Sequence, residues 1–91
     1  MQHKEFKIGM EFAMGVNSKL WRVTDIGART IIAIRIDRVI VGVGGSIPEL
    51  IIDGAEAEAK GWFRGPPYAV KETVFDEDDL QMCEPKGLNH D

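Results

Sequence analysis

Ninety-one residues suffice for one domain with one modest core. Acidic residues (15) outnumber basic ones (11), and the net charge of −4 argues against general nucleic-acid binding, which needs clustered positive charge. A lone cysteine, Cys83, excludes an intrachain disulfide and an all-cysteine zinc site, and no apolar stretch approaches the roughly 20 residues of a membrane span.

Residues 6–14 alternate. Phe6, Ile8, Met10, Phe12 and Met14 share one parity, and Lys7, Gly9, Glu11 and Ala13 the other, as in a half-buried strand. The polar opening Met1-Gln2-His3-Lys4-Glu5 is unlike a signal peptide. Gly15-Val16-Asn17-Ser18-Lys19 supplies turn chemistry.

Residues 20–37 read as two strands around a two-residue turn at Gly27-Ala28. That turn sets Trp21 opposite Ile34, Val23 opposite Ile32 and Asp25 opposite Thr30, an apolar face except near the turn. The other face mixes Leu20, Ile26, Ile31 and Ala33 with Arg22, Arg29 and Arg35. So many aliphatics imply that something partly covers it.

Residues 38–60 form an inserted hairpin and loop. Arg38–Val43 and Ile47–Asp53 are its arms and Gly44-Gly45-Ser46 its turn, with Pro48 at an edge or strand start. The glycine-bracketed segment 54–61 is too short for an independent helix and reads as a single helical turn or a loop. Trp62-Phe63-Arg64-Gly65-Pro66-Pro67 is an aromatic corner. Tyr68–Phe75 is the last strand, and a bulge near Glu72 would reconcile its parity, since Val74 and Phe75 cannot both point inward. Asp76 caps a short helix over 76–83, which Pro85 and Gly87 end. Residues 86–91 are expected to be a mobile tail.

Little of this carries chemistry. Gly42-Val43-Gly44-Gly45-Ser46 lacks the third glycine of a dinucleotide loop and the Gly-Lys-Ser/Thr of a phosphate loop, so it reads as a hairpin turn. Asp76, Glu77, Asp78 and Asp79 do not fit a calcium loop, because Leu80 and Gln81 stand where an oxygen ligand and the glycine belong. His3 and His90 lie at opposite ends, so neither a metal site nor a Ser-His-Asp arrangement is nominated. Cys83 follows an acidic run that raises a thiol's pKa, and it reads as a buried spectator. Asp25 suits turn hydrogen bonds or an Arg29 pair better than acid–base work. Arg22, Arg29 and Arg35 could hold an anion or an RNA strand, but cross-strand pairing with carboxylates is favoured. The cluster Trp62, Phe63, Pro66, Pro67 and Tyr68 is either a plug for the end of a small barrel or, if exposed, a site.

Residues 21–34 (Trp21-Arg22-Val23-Thr24-Asp25-Ile26-Gly27-Ala28-Arg29-Thr30-Ile31-Ile32-Ala33-Ile34) and residues 65–80 (Gly65-Pro66-Pro67-Tyr68-Ala69-Val70-Lys71-Glu72 through Asp79-Leu80) resemble an uncharacterised family of small bacterial proteins. Its members include products of integron-type mobile gene cassettes. The opening Phe6-Lys7-Ile8-Gly9-Met10-Glu11-Phe12 resembles it too, while residues 38–60 depart from it. The resemblance covers about half the chain. It implies a compact β domain, and no activity or functional residue comes with it.

The expected fold is mainly β: a small bent antiparallel sheet or Src-homology-3-like barrel with an inserted hairpin and a short C-terminal helical turn. The expected core is Phe6, Ile8, Met10, Phe12, Trp21, Val23, Ile32, Ile34, Ile36, Val70, Val74 and Leu80. The leading expectation for function is a non-catalytic interaction module that self-associates as a dimer or larger homo-oligomer. It would do so through Val39, Val41, Val43, Leu50, Ile51 and Ile52, because bare aliphatic strands invite pairing. The alternative is a small-organic-ligand binding protein with a pocket near Trp62, Phe63 and Tyr68, with Arg35 beside it. No cofactor, metal or catalytic set is nominated. A protein partner remains open for the hairpin, no nucleic acid or membrane is expected, and a reducing cytoplasm suits the single thiol.

Overall fold

The computed structural model describes residues 1–15, 19–42 and 50–86. In chain order these form a 3-10 helix (His3–Glu5), β1 (Glu11–Met14), β2 (Lys19–Ile26), β3 (Ile31–Arg35), β4 (Arg38–Val41), β5 (Leu50–Asp53), α1 (Gly54–Ala59), β6 (Glu72–Phe75), α2 (Glu77–Leu80) and β7 (Cys83–Pro85). The fold is mainly β, as expected. Five strands make one antiparallel sheet in the order β6-β3-β2-β1-β7, and β4 pairs with β5 in a separate hairpin. The sheet stays open: β6 and β7 are its edges, and no ladder joins them among the described residues. Pro85, which has no N–H to donate, sits on edge strand β7.

The first strand is shorter than its alternation suggests. Gly9 adopts φ +90°, and Met10 N–H donates to Lys7 O at 3.0 Å, closing a turn. The turn resets parity. Phe6 and Phe12 both enter the core, while Ile8 is 66% exposed and leaves the expected core. Gly9 N–H still reaches Val23 O at 2.8 Å, so the turn remains stitched to β2.

The β2–β3 register also differs from the tight-turn expectation. The connection runs over residues 27–30, closed by Gly27 N–H donating to Thr30 O at 2.9 Å, and His3 Nε2 donates into it at Gly27 O, 2.8 Å away. A bulge falls between Val23 and Asp25. Trp21 therefore faces Arg35, Arg22 faces Ile34, Val23 faces Ala33, and Asp25 faces Ile32. The three arginines do not share a face: Arg22 and Arg35 point to opposite sides of the sheet, and Arg29 lies in the connecting loop.

β3 feeds two cores. Ile31 and Ala33 join Phe6, Phe12, Val23, Phe75, Leu80 and Cys83. Ile34 turns the other way and packs with Ile36, Val39, Ile52, Ala57 and Phe63, flanked by Leu20 and Val70. So the cover inferred for the Leu20 side is supplied by the chain's own hairpin and α1. Ile32 is only half-buried. At β6, Phe75 takes the buried place and Val74 is 59% exposed, so the expectation for Val74 is reversed. The strand begins only at Glu72, and residues 68–71 lie outside it.

Both short helices are set by their caps. Asp53 accepts from Ala55 N–H at 3.0 Å to start α1. Asp76 and Asp79 exchange side-chain-to-backbone hydrogen bonds at 3.0 Å to start α2, which gives the acidic run a structural role.

An ion-pair chain ties α1, and the residue that follows β7, to β1 and β2. Lys86 Nζ and Arg22 Nη2 both donate to Glu11, at 2.7 and 2.8 Å, and Arg22 reaches Glu58 of α1 at 2.6 Å. Lys86, expected to open a mobile tail, is thereby anchored; residues 87–91 lie outside the described residues. Burial alone would push the Glu11 carboxyl up, but hydrogen bonds and charge from Lys86 and Arg22 outweigh it and hold it below its ordinary 4.5. A carboxyl lowered on folding stabilises the fold above its unfolded pKa and loses that contribution as pH falls through the folded one. Stability is therefore expected to drop as pH falls below 4.5. In urea titrations Glu11→Gln should flatten that slope, and an unchanged slope would exclude Glu11 as a source of the acid sensitivity.

Candidate functional site

The C-terminus of α1 fixes Trp62. Gly61 takes φ +83°, a left-handed conformation that glycine adopts without strain. Gly61 N–H then donates to Glu58 O at 3.1 Å and Trp62 N–H to Ala57 O at 3.0 Å, the paired bonds of a Schellman ending. Sequence thus dictates where the chain leaves the helix and where the indole is presented.

Trp62 lines a cavity of about 460 Å³ with Trp21, Arg35, Val39, Val41 and Val70, and its rim carries Arg38, Lys71 and Thr73. Both tryptophans of the chain contribute. The volume lies in the range of small-molecule pockets, roughly 300–1,000 Å³. Trp21 is braced by Phe75, edge to face at 4.8 Å. Its Nε1 is shielded from solvent and has no hydrogen-bond partner, alone in this among the buried side-chain N and O atoms of the described residues.

The expected ligand residues separate. Trp62 and Arg35 line the cavity. Phe63 is buried in the second core, where it faces Ile34 and its neighbours rather than a ligand. Tyr68 packs over Gly65 so closely that a Cβ there would overlap its ring, and it does not line the cavity. Trp21, Arg38 and Lys71 belong to the site and were not nominated from sequence.

The hairpin residues divide too. Val39 and Ile52 oppose each other on the inner face and are buried, so they serve the core. Val41 is half-buried in the cavity wall. Val43 lies outside the described residues. Leu50 and Ile51 are 59% and 57% exposed, and Ile51 faces Ile40, which is 45% exposed and was not nominated.

All three arginines meet carboxylates, but only Arg22 with Glu11 is the cross-strand pair expected; Arg22 also reaches Glu58, Arg29 in its loop meets Glu77 of α2 at 2.6 Å, and Arg35 meets Asp37 two residues along the chain. Burial pushes the Cys83 thiol up to about 11, against the pull of the Met1 ammonium and with a smaller push from Asp79, so it is no thiolate at neutral pH. No cluster of three or more metal-ligating side chains occurs, and no helix is long and apolar enough to cross a membrane, among the described residues. Comparisons of the chain with protein-family models, with curated proteins and with solved structures each return no match.

Proposed function

We propose that the chain is a non-catalytic binding module that takes a small organic ligand in the cavity walled by Trp21 and Trp62. The carrying observation is the convergence of both tryptophans, from segments far apart in the chain, on one pocket of ligand size. The unpaired Cys83 supports a reducing, cytoplasmic setting. The likeness of residues 21–34 and 65–80 to a small bacterial family brings no activity, so the reading rests on the cavity. A ligand present at about 100 times its dissociation constant should raise Tm by roughly 10–20 °C and change tryptophan emission. Trp62→Ala should abolish both responses while circular dichroism shows a folded protein. Failure of a broad panel of aromatic and heteroaromatic metabolites to give either response would sink the reading.

A second reading, self-association, is favoured by the outer face of the hairpin. Ile40 and Ile51 form an exposed cross-strand pair on that face. A second copy placing the same face against it would bury both. Light scattering across a dilution series should then show a dimer, and Ile40→Asp with Ile51→Asp should give folded monomers. A wild-type monomer at every concentration excludes this reading.

A further inference from the structure

The charge lining the cavity runs against the charge of the chain. The protein carries a net −4, yet the cavity wall holds Arg35, Arg38 and Lys71 and, among the described residues, no carboxylate. Arg35 is spoken for: its Nε and Nη2 donate to the two carboxylate oxygens of Asp37 at 2.6 and 2.9 Å. Arg38 and Lys71 are exposed at the rim and form no ion pair among the described residues. Asp53, opposite Arg38 in the hairpin ladder, gives its carboxylate to the first turn of α1. Away from the cavity, Arg22, Arg29, Lys60 and Lys86 each have a carboxylate partner, whereas Lys4, Lys7, Lys19 and Arg64 form no ion pair among the described residues, so what sets Arg38 and Lys71 apart is their shared place on the cavity.

We infer that the ligand is a planar organic anion, an aromatic ring carrying a single carboxylate or phosphate. This rests on the binding reading above and adds the ligand's charge. The ring meets the indole walls, where offset or edge-to-face stacking is favourable. The anionic group stays at the rim with Arg38 and Lys71. A guanidinium fork matches either carboxylate or phosphate oxygens, and an ammonium adds a point charge. The hydroxyl of Thr73, on the same rim, is a further donor. Because both cations face water, each contributes modestly and is weakened by salt. A neutral ligand of the same shape leaves that attraction unused.

The test measures tryptophan-emission titrations and calorimetry of the full chain with 1-naphthoate, 1-naphthyl phosphate and neutral 1-naphthamide. The expected result is that at least one anion binds 10-fold or more tighter than the amide, a gap that closes as NaCl rises from about 0.05 to 0.5 M. Whichever anion binds more tightly identifies the carboxylate or the phosphate source. Arg38→Gln and Lys71→Gln should each weaken the anion about fivefold and leave the amide unchanged. Equal binding of all three probes, or anion binding indifferent to both substitutions, overturns the anion inference while leaving the aromatic pocket intact. Binding of none, with the wild-type protein folded, overturns the pocket reading itself, so the two failures are distinct.

Discussion

Phe12→Ala is expected to cost about 3–5 kcal/mol and to lower Tm by at least about 12 °C. Phe12 is fully buried and lies on β1, between β2 and β7. Its ring meets Phe6 edge-on at 5.3 Å and Phe75 at 5.5 Å, so it joins the N-terminal segment to the last strands of the chain. The cavity left by truncation is bounded by ladders on both sides, with Phe12 paired to Trp21 and to Pro85, and cannot collapse freely. Against a total stability of roughly 5–15 kcal/mol, that loss threatens the folded state at 37 °C. Ile8→Ala, at an exposed turn site two residues after Phe6, serves as the control and should shift stability by no more than about 0.5 kcal/mol. Chemical denaturation of the two variants decides it: equal losses would contradict the parity reset at Gly9.

Why that reset was hidden in the sequence is physical. Alternation over 6–14 is real in the residue types, but a glycine with positive φ breaks the parity and leaves the pattern looking intact. The β2–β3 register was hidden for a different reason. Register is legible when one face is apolar and the other polar, because a slip exposes the apolar set. Here β3 buries Ile31 and Ala33 toward one core and Ile34 toward the other. Several registers therefore satisfy the pattern, and the bulge between Val23 and Asp25 selects among them. What the sequence did reveal was the local chemistry: the Asp76 cap, the hairpin arms, and the need for a cover over Leu20.

The site was half legible for a related reason. Trp62 and Arg35 stood out because an aromatic corner and a strand arginine are visible in one dimension. Phe63 and Tyr68 were grouped with Trp62 by adjacency, yet neighbours leaving a helix end point in different directions, and only Trp62 turns into the pocket. Trp21 was assigned to the core and also is a cavity wall. Arg38 and Lys71 lie on separate segments of the chain, with no local pattern that joins them. Only the folding-back of the hairpin brings them to one rim, a long-range event with no local signature.

That folding-back depends on Gly54, and Gly54→Ala is expected to destabilise the protein by about 1–3 kcal/mol and to weaken ligand binding with it. At Gly54 the chain passes from β5 into α1 against the Ile36–Asp37 link between β3 and β4, with its N–H donating to Asp37 O at 3.0 Å. A Cβ there would collide with Ile36 O and lie 2.8 Å from Asp37 O. Both obstacles are backbone, so no rotamer change relieves them, and the hairpin–helix unit must lift from the sheet. Lifting it loosens the second core at Ala57 and Phe63 and moves the cavity wall formed by Val39, Val41 and Trp62. Gly27→Ala makes the useful contrast. There the crowding atom is the Thr30 hydroxyl at 2.5 Å, which rotation can move away, so the cost should be smaller. Urea denaturation followed by tryptophan emission measures both effects in one experiment. If Gly54→Ala retains wild-type stability and emission, the start of α1 is not seated against Ile36 and Asp37 as described, and the pocket loses the support on which its ligand reading stands.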